Sequence, residues 1–235
     1  MRIILAVSRQ RLIKKAVLAA AAAVILGSIF FFLFSTPGRP PEKAAEKALA
    51  ATAAAGNFRY RVEGELLLPG RRVAFLELSG ERFRRDCSRV KGKVMKTPVE
   101  LYLLGSKVLI RDTTSGRWTA VEISANTPVA DFIAEMDPLT FLRVENTGPV
   151  SYDGVEKTSR GKCWVFTFSP ALAAPAVTKS WQFFTYRVWV LPRSGRVDRL
   201  EVRARSKEVA GNGLRLVVDL YDYGRVKPFS LPKTQ

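Results

Sequence analysis

The chain has 235 residues, 47% hydrophobic and 25% charged, so it can bury a real core and is not globally disordered. It carries a formal net charge of +17 and no histidine. The missing imidazole removes the commonest general base and the commonest metal ligand, and two cysteines are too few for a cysteine–histidine zinc site, so neither a metal nor a cofactor is expected.

Five basic residues, Arg2, Arg9, Arg11, Lys14 and Lys15, precede an apolar run over 16–34 that holds no charge. At ~1.5 Å per residue a helix of that length covers roughly the ~30 Å hydrocarbon core of a bilayer. A cleaved signal peptide is the alternative, but it would need a shorter apolar run and small residues at its end. Here the run ends in Phe30, Phe31, Phe32, Leu33 and Phe34. Residues 16–35 therefore read as an uncleaved transmembrane signal anchor. Residues 1–15 form a basic tail kept in the cytoplasm by the positive-inside rule. The predicted location is a cell membrane, crossed once, with the C-terminal body extracytoplasmic. Residues 36–41 are a short proline-stiffened linker, and 42–235 form one domain of ordinary size.

An alanine-rich helix is predicted over 42–55, closing at Gly56 and packing through small side chains. From Asn57 the period changes to two: Phe58, Tyr60, Val62, Gly64 and Leu66 alternate with Arg59, Arg61, Glu63 and Glu65, as in a half-buried strand. Pro69-Gly70 is a turn. A second strand follows over 73–78 and a third over 81–90. Residues 98–104 and 107–112 form a hairpin across Gly105-Ser106, and 117–121 is another strand. A helix begins at Thr127-Pro128 with Val129, Phe132, Ile133 and Met136 at helical spacing. A short turn at Asp137-Pro138 carries Leu139, Phe141 and Leu142. Strands resume over 150–153, 162–168, 183–191, 196–205 and 214–221, with Ser194-Gly195 turning the tightest hairpin and 171–180 a short connection. The prediction is a mainly β (α+β) body: about ten antiparallel strands in a meander, curled into an open barrel with a helical lid.

Three pieces of that layout are distinctive: Trp118 after a Ser-Gly turn, Asp137-Pro138-Leu139 with Phe141-Leu142, and Asp222-Tyr223-Gly224 ahead of Leu231-Pro232. Together with the element order they resemble the periplasmic lipoprotein-carrier superfamily, that is, the LolA/LolB-like fold and the mycobacterial LppX/LprG-like lipid-binding lipoproteins, over 42–233. The resemblance implies an unclosed β-barrel around an apolar cavity, lidded by helices and holding acyl chains. The chain departs from that family in its transmembrane tether, which suits a fixed lipid acceptor, sensor or chaperone at the membrane surface better than a periplasmic shuttle.

Catalytic motifs are not found. Ser88-Arg89-Val90-Lys91 matches S-x-x-K without its companion elements, and no P-loop, G-x-G-x-x-G or G-x-S-x-G occurs. No enzyme is expected. Asp198, Glu201, Asp219 and Asp222 are read as cross-strand partners of the alternating arginines. Cys87 and Cys163 could form one disulfide in an exported domain. The basic run over 82–96 is either a solvated face or a site for anionic headgroups or wall polymers. Nucleic acid is not expected, since no recognition element is visible.

The candidate ligand-binding residues are apolar. On strands they are Phe58, Tyr60, Val62, Leu66, Phe83, Leu101, Leu103, Trp118, Trp164, Phe166, Phe168, Phe184, Tyr186 and Val188, with Phe75 in the same aromatic set. In the helical insertion they are Phe132, Ile133, Met136 and Phe141. Together they would either line a cavity for lipid or lipoprotein acyl chains or form a filled core. The two predicted functions follow from that choice: a membrane-tethered lipid-binding module, or a structural or sensory envelope module with the same fold.

Overall fold

The computed structural model describes residue 40 and residues 43–122, 138–142, 144–172 and 175–232. The 16–35 segment and the helix expected from 127 lie outside the described residues. Among the described residues no helix is long and apolar enough to cross a membrane.

Helix α1 (Ala44–Ala54) is built from alanine, the best helix former, and ends where Ala55 turns extended. It buries Ala44, Ala45, Ala48, Leu49 and Thr52, so its backbone approaches the sheet closely, as its composition predicts. Six strands follow: β1 (Phe58–Leu68), β2 (Arg71–Arg84), β3 (Cys87–Val94), β4 (Thr97–Leu104), β5 (Lys107–Arg111) and β6 (Trp118–Glu122). A 3-10 helix (Pro138–Leu142) and β7 (Val144–Asn146) lead to β8 (Ser151–Thr158), β9 (Gly161–Phe168) and β10 (Ala171–Leu172). Helix α2 (Pro175–Ser180), β11 (Trp181–Leu191), β12 (Arg196–Ser206) and β13 (Gly213–Tyr221) complete the body.

Eleven strands form one antiparallel sheet in the order β6-β5-β4-β3-β2-β1-β13-β12-β11-β9-β8. The expected single meander is corrected to two. One runs outward from β1 to β6, the other inward from β8 to β13, and the β1–β13 ladder joins them. β6 and β8 end the order unpaired with each other, which leaves the curled sheet open. β7 and β10 form a separate two-stranded sheet that was not foreseen.

The strands expected over 73–78 and 81–90 are corrected as well. β2 runs unbroken through Ser79-Gly80, and the reversal comes at Arg85-Asp86. Gly80 lies under the ring of Tyr60, where a Cβ would come within 2.0 Å of the aromatic carbons. Its glycine therefore permits close packing and makes no turn. The β3–β4 reversal at Met95-Lys96 has both residues in the left-handed region, φ 48° and 71°. That is the geometry of a two-residue type I′ hairpin without the Asn-Gly that usually marks one.

Cys87 and Cys163, the possible disulfide partners, are not bonded to each other in this structure. Both cysteines are free thiols, and in sheet order β3 and β9 are separated by β2, β1, β13, β12 and β11. Cys163 packs with Val165 and Trp189 on the outer face.

The alternation puts the core on the inner face and arginine–carboxylate ladders on the outer one. Arg59 donates to Glu81 (2.7 Å) and Asp222 (2.9 Å); Arg89 and Arg111 both donate to Glu100 (2.5 and 3.0 Å). Arg203 and Arg215 share Glu201 (2.8 and 3.0 Å), Arg199 holds Asp219 (2.7 Å), and Arg160 covers the fully buried Asp198. The four acids thus pair with arginines, as the sequence implied. Each half-exposed pair contributes no more than ~1 kcal/mol, but the ladders fix which face is wet, and a one-residue slip would bury them.

Candidate functional site

The inner face is a set of cross-strand rows. One runs Phe168, Tyr186, Val202, Leu216, Gly64, Leu76 and Val94 from β9 to β3. Helix α1 lies over the β11–β12 end of these rows, anchored where the Val197 amide donates to Thr52 Oγ1 at 3.0 Å. Beneath it Tyr186, Val188, Leu200 and Val202 are fully buried.

Toward β1–β3 the same rows open into an apolar cleft of about 370 Å³. Leu66, Phe75, Leu76, Val94, Met95, Leu214 and Leu216 come from the sheet and its β3–β4 turn; Phe141 comes from the 3-10 helix, Val177 from α2 and Trp181 from the start of β11. None of these side chains is ionisable. Gly64 sets the floor, since a Cβ there would come within 2.8 Å of Leu76 and Phe75 and 3.0 Å of Leu216. The Met95 amide donates to the Phe75 carbonyl at 2.6 Å, folding the turn back over the cleft edge. Its volume falls within the ~300–1,000 Å³ of small-molecule pockets.

Of the sequence candidates, Leu66, Phe75 and Phe141 line this cleft. Phe58, Tyr60, Val62, Leu101, Phe166, Phe168, Phe184, Tyr186 and Val188 are buried in the core, and Leu103 and Trp164 pack half-buried against it. Trp118 is placed differently: it pairs with Arg111 on the outer face and meets Tyr102 edge-on at 5.2 Å, with Phe229 on the same ring at 5.5 Å. Phe83 falls at the bulge between Arg82 and Arg84, half-buried and outside the core cluster. Phe132, Ile133 and Met136 lie outside the described residues. Leu76, Val94, Leu214 and Leu216 were missed although their strands alternate. Met95, Val177 and Trp181 carry no period-two signal at all.

The basic run over 82–96 is dispersed. Arg82 is buried and donates to the Arg85 carbonyl, Arg85 reaches the Ala54 carbonyl, Arg89 holds Glu100, and Lys91 and Lys93 are exposed.

The described residues offer little to covalent chemistry. Burial pushes the Cys163 thiol up to about 11, against a hydrogen bond from Thr158, and burial also raises Cys87. Both are therefore poor thiolates. The Tyr186 hydroxyl is buried with no hydrogen-bond partner among the described residues, and burial raises its pKa. Among the described residues no group of histidine, cysteine or carboxylate side chains could hold a metal.

No family model matches the chain, and no curated protein matches it. Solved structures do. The lipoprotein LppX of Mycobacterium tuberculosis is 11% identical, with 75% of this chain and 91% of that one covered at a TM-score of 0.50. LprF of Mycobacterium bovis is 14% identical over 83% and 99% of the two chains, TM-score 0.48. A LolA-superfamily protein of Nitrosomonas europaea is 10% identical over 83% and 96%, TM-score 0.37. The body of this chain has an LppX-like fold.

Proposed function

We propose that the body is a non-enzymatic module that takes lipid or lipoprotein acyl chains into the cleft between β1–β3, β13 and the short helices. Residues 16–35 tether it to the outer side of the cytoplasmic membrane. The observation that carries this reading is the cleft wall: ten side chains, all apolar, facing one concavity. An unfilled apolar concavity loses dispersion contacts along its wall, and an acyl chain restores them. The tether rests on the basic cluster followed by an uncharged apolar run. The LppX-like fold is the one for which the sequence resemblance implies an apolar cavity holding acyl chains.

A second reading, a structural or sensory envelope module, draws on the fully buried Phe58, Tyr186 and Val188, which make most of the inner face an ordinary core. Organic extraction of the purified protein followed by mass spectrometry separates the two. The lipid-binding reading expects a reproducible acyl lipid that a fluorescent fatty acid displaces. Protein that is ligand-free and does not bind the probe overturns it and leaves the second reading, whose partner crosslinking would then recover.

A further inference from the structure

The end of the barrel where the cleft opens brings exposed apolar side chains together with exposed basic ones. Val73, Met95, Phe183 and Val209 are large apolar residues exposed by 36%, 68%, 70% and 51%. They stand on β2 near its turn, on the β3–β4 turn, at the start of β11 and on the β12–β13 loop. The strand registers bring these places to one end: Leu68 pairs with Arg71, Val94 with Thr97, Trp181 with Ser206 and Leu67 with Gly213. Met95 and Phe183 also hold left-handed backbone, φ 48° and 55°, which L side chains rarely adopt. Both stay more than half exposed.

Around them stand Arg71, Arg72, Lys96, Lys179, Arg205 and Lys207, all exposed, with Glu208 as the exposed acid of the β12–β13 loop. On the outer face the ladders place Arg59, Arg89, Arg199 and Arg215 against carboxylates. At the rim, among the described residues, no carboxylate forms an ion pair with any of the six. Arg205 lies 5.9 Å over the Phe183 ring, and Lys207 donates to the Thr178 carbonyl. An uncompensated basic ring around exposed apolar tips is complementary to an anionic interface with an apolar layer beneath it.

Helix α1 also begins at this end. Glu46, in the first turn of α1, accepts from Thr147 beside the β7–β10 sheet, which follows the cleft end of β9. Thr52, in the last turn, bonds Val197 near the opposite, β11–β12 turn.

We infer that this rim is a docking surface for an anionic lipid bilayer, with Phe183, Met95 and Val209 entering the interface and the basic ring on the headgroups. The inference deepens the proposed function, because it places the cleft mouth against the source of acyl chains. It is independent of whether the cleft is filled.

The test uses the full chain, with Cys87→Ser, reconstituted into vesicles. A polarity-sensitive fluorophore is placed either at Val209→Cys on the rim or at Ser194→Cys in the β11–β12 turn. The native Cys163 is fully buried and does not take the label. In vesicles of phosphatidylcholine with phosphatidylglycerol, the rim label is expected to blue-shift and to be quenched by a lipid-borne quencher, while the Ser194→Cys label stays wet. Phosphatidylcholine alone, 0.5 M salt on the order of a few Å of Debye length, or the triple change Arg71→Glu, Arg72→Glu, Arg205→Glu is expected to abolish the rim signal. A rim label as wet as the control in anionic vesicles overturns docking. Acyl lipid recovered from the same sample reports on the cleft separately. Docking without bound lipid removes the proposed function and keeps this inference; bound lipid without docking does the reverse.

Discussion

The two halves of the inner face are built from the same kind of alternating strand and end in different states. Over β11 and β12 a helix made of small residues closes the face, and Tyr186, Val188, Leu200 and Val202 are fully buried. Over β1–β3 and β13 the described cover is the 3-10 helix, α2 and a turn residue, and the face stays open as a cleft. The strands do not decide between core and cavity. The lid does, through how closely its backbone can approach: alanines on α1 let it settle onto the sheet, whereas Phe141, Val177 and Trp181 stand off and wall a space. An apolar inner face is therefore necessary for a ligand site in this fold and says little about where the site is.

The largest expected effect tests that contrast directly. Leu200→Ala in the closed half should lose about 2–5 kcal/mol, because nothing can collapse into the vacated space. Leu66→Ala on the cleft wall should lose less than about 1.5 kcal/mol, because that side chain already borders open volume. Urea unfolding of both variants measures the difference. Equal losses would mean the cleft is packed in solution and would remove the distinction between the halves.

Next in size is Tyr186→Phe. The hydroxyl sits in the closed half with no partner among the described residues, a burden of roughly 1–3 kcal/mol. Its removal should raise the unfolding free energy by about 1 kcal/mol while leaving acyl-chain recovery unchanged. A destabilised Tyr186→Phe would show that the hydroxyl is bonded in the working protein, and that the closed half is open to a polar group.

How far the sequence revealed this follows the same division. Alternation marks the inner residues of β1, β4, β9 and β11 because one face must be apolar and the other wet, and it is blind to everything above the sheet. Trp118 was misassigned because β6 is only five residues long, too short for its phase to be read, and a tail residue, Phe229, covers the outer face there. β2 was cut in two because Gly80 reads as a break when only Tyr60, 20 residues away, explains it. The β1–β13 ladder, which joins the two meanders, leaves no local mark, since the two strands lie at opposite ends of the body. Met95, Val177 and Trp181 become cleft residues only through tertiary placement.

The smallest effect bears on what the halves share. Glu201 on β12 lies outside the closed half and Glu100 on β4 outside the other, and each carboxylate bridges two arginines. Burial raises Glu201, but its bonds to Arg215 and Arg203 outweigh it and hold the carboxyl below the usual range. At Glu100 the bond from Arg89 leads and the net direction is the same, downward. A carboxylate whose folded pKa lies below its unfolded value, about 4.3, contributes stability that is complete above that value and is lost as pH falls through the folded pKa. Both halves should therefore weaken below about pH 4. Glu201→Gln and Glu100→Gln should each give up to about 1 kcal/mol of loss at pH 7 and a flatter acid limb, since their arginines are partly solvated. Unfolding midpoints at pH 7 and pH 3 check this. If only Glu201→Gln flattens the limb, the ladder on β3–β5 is not contributing, and the open half is held by its inner face alone.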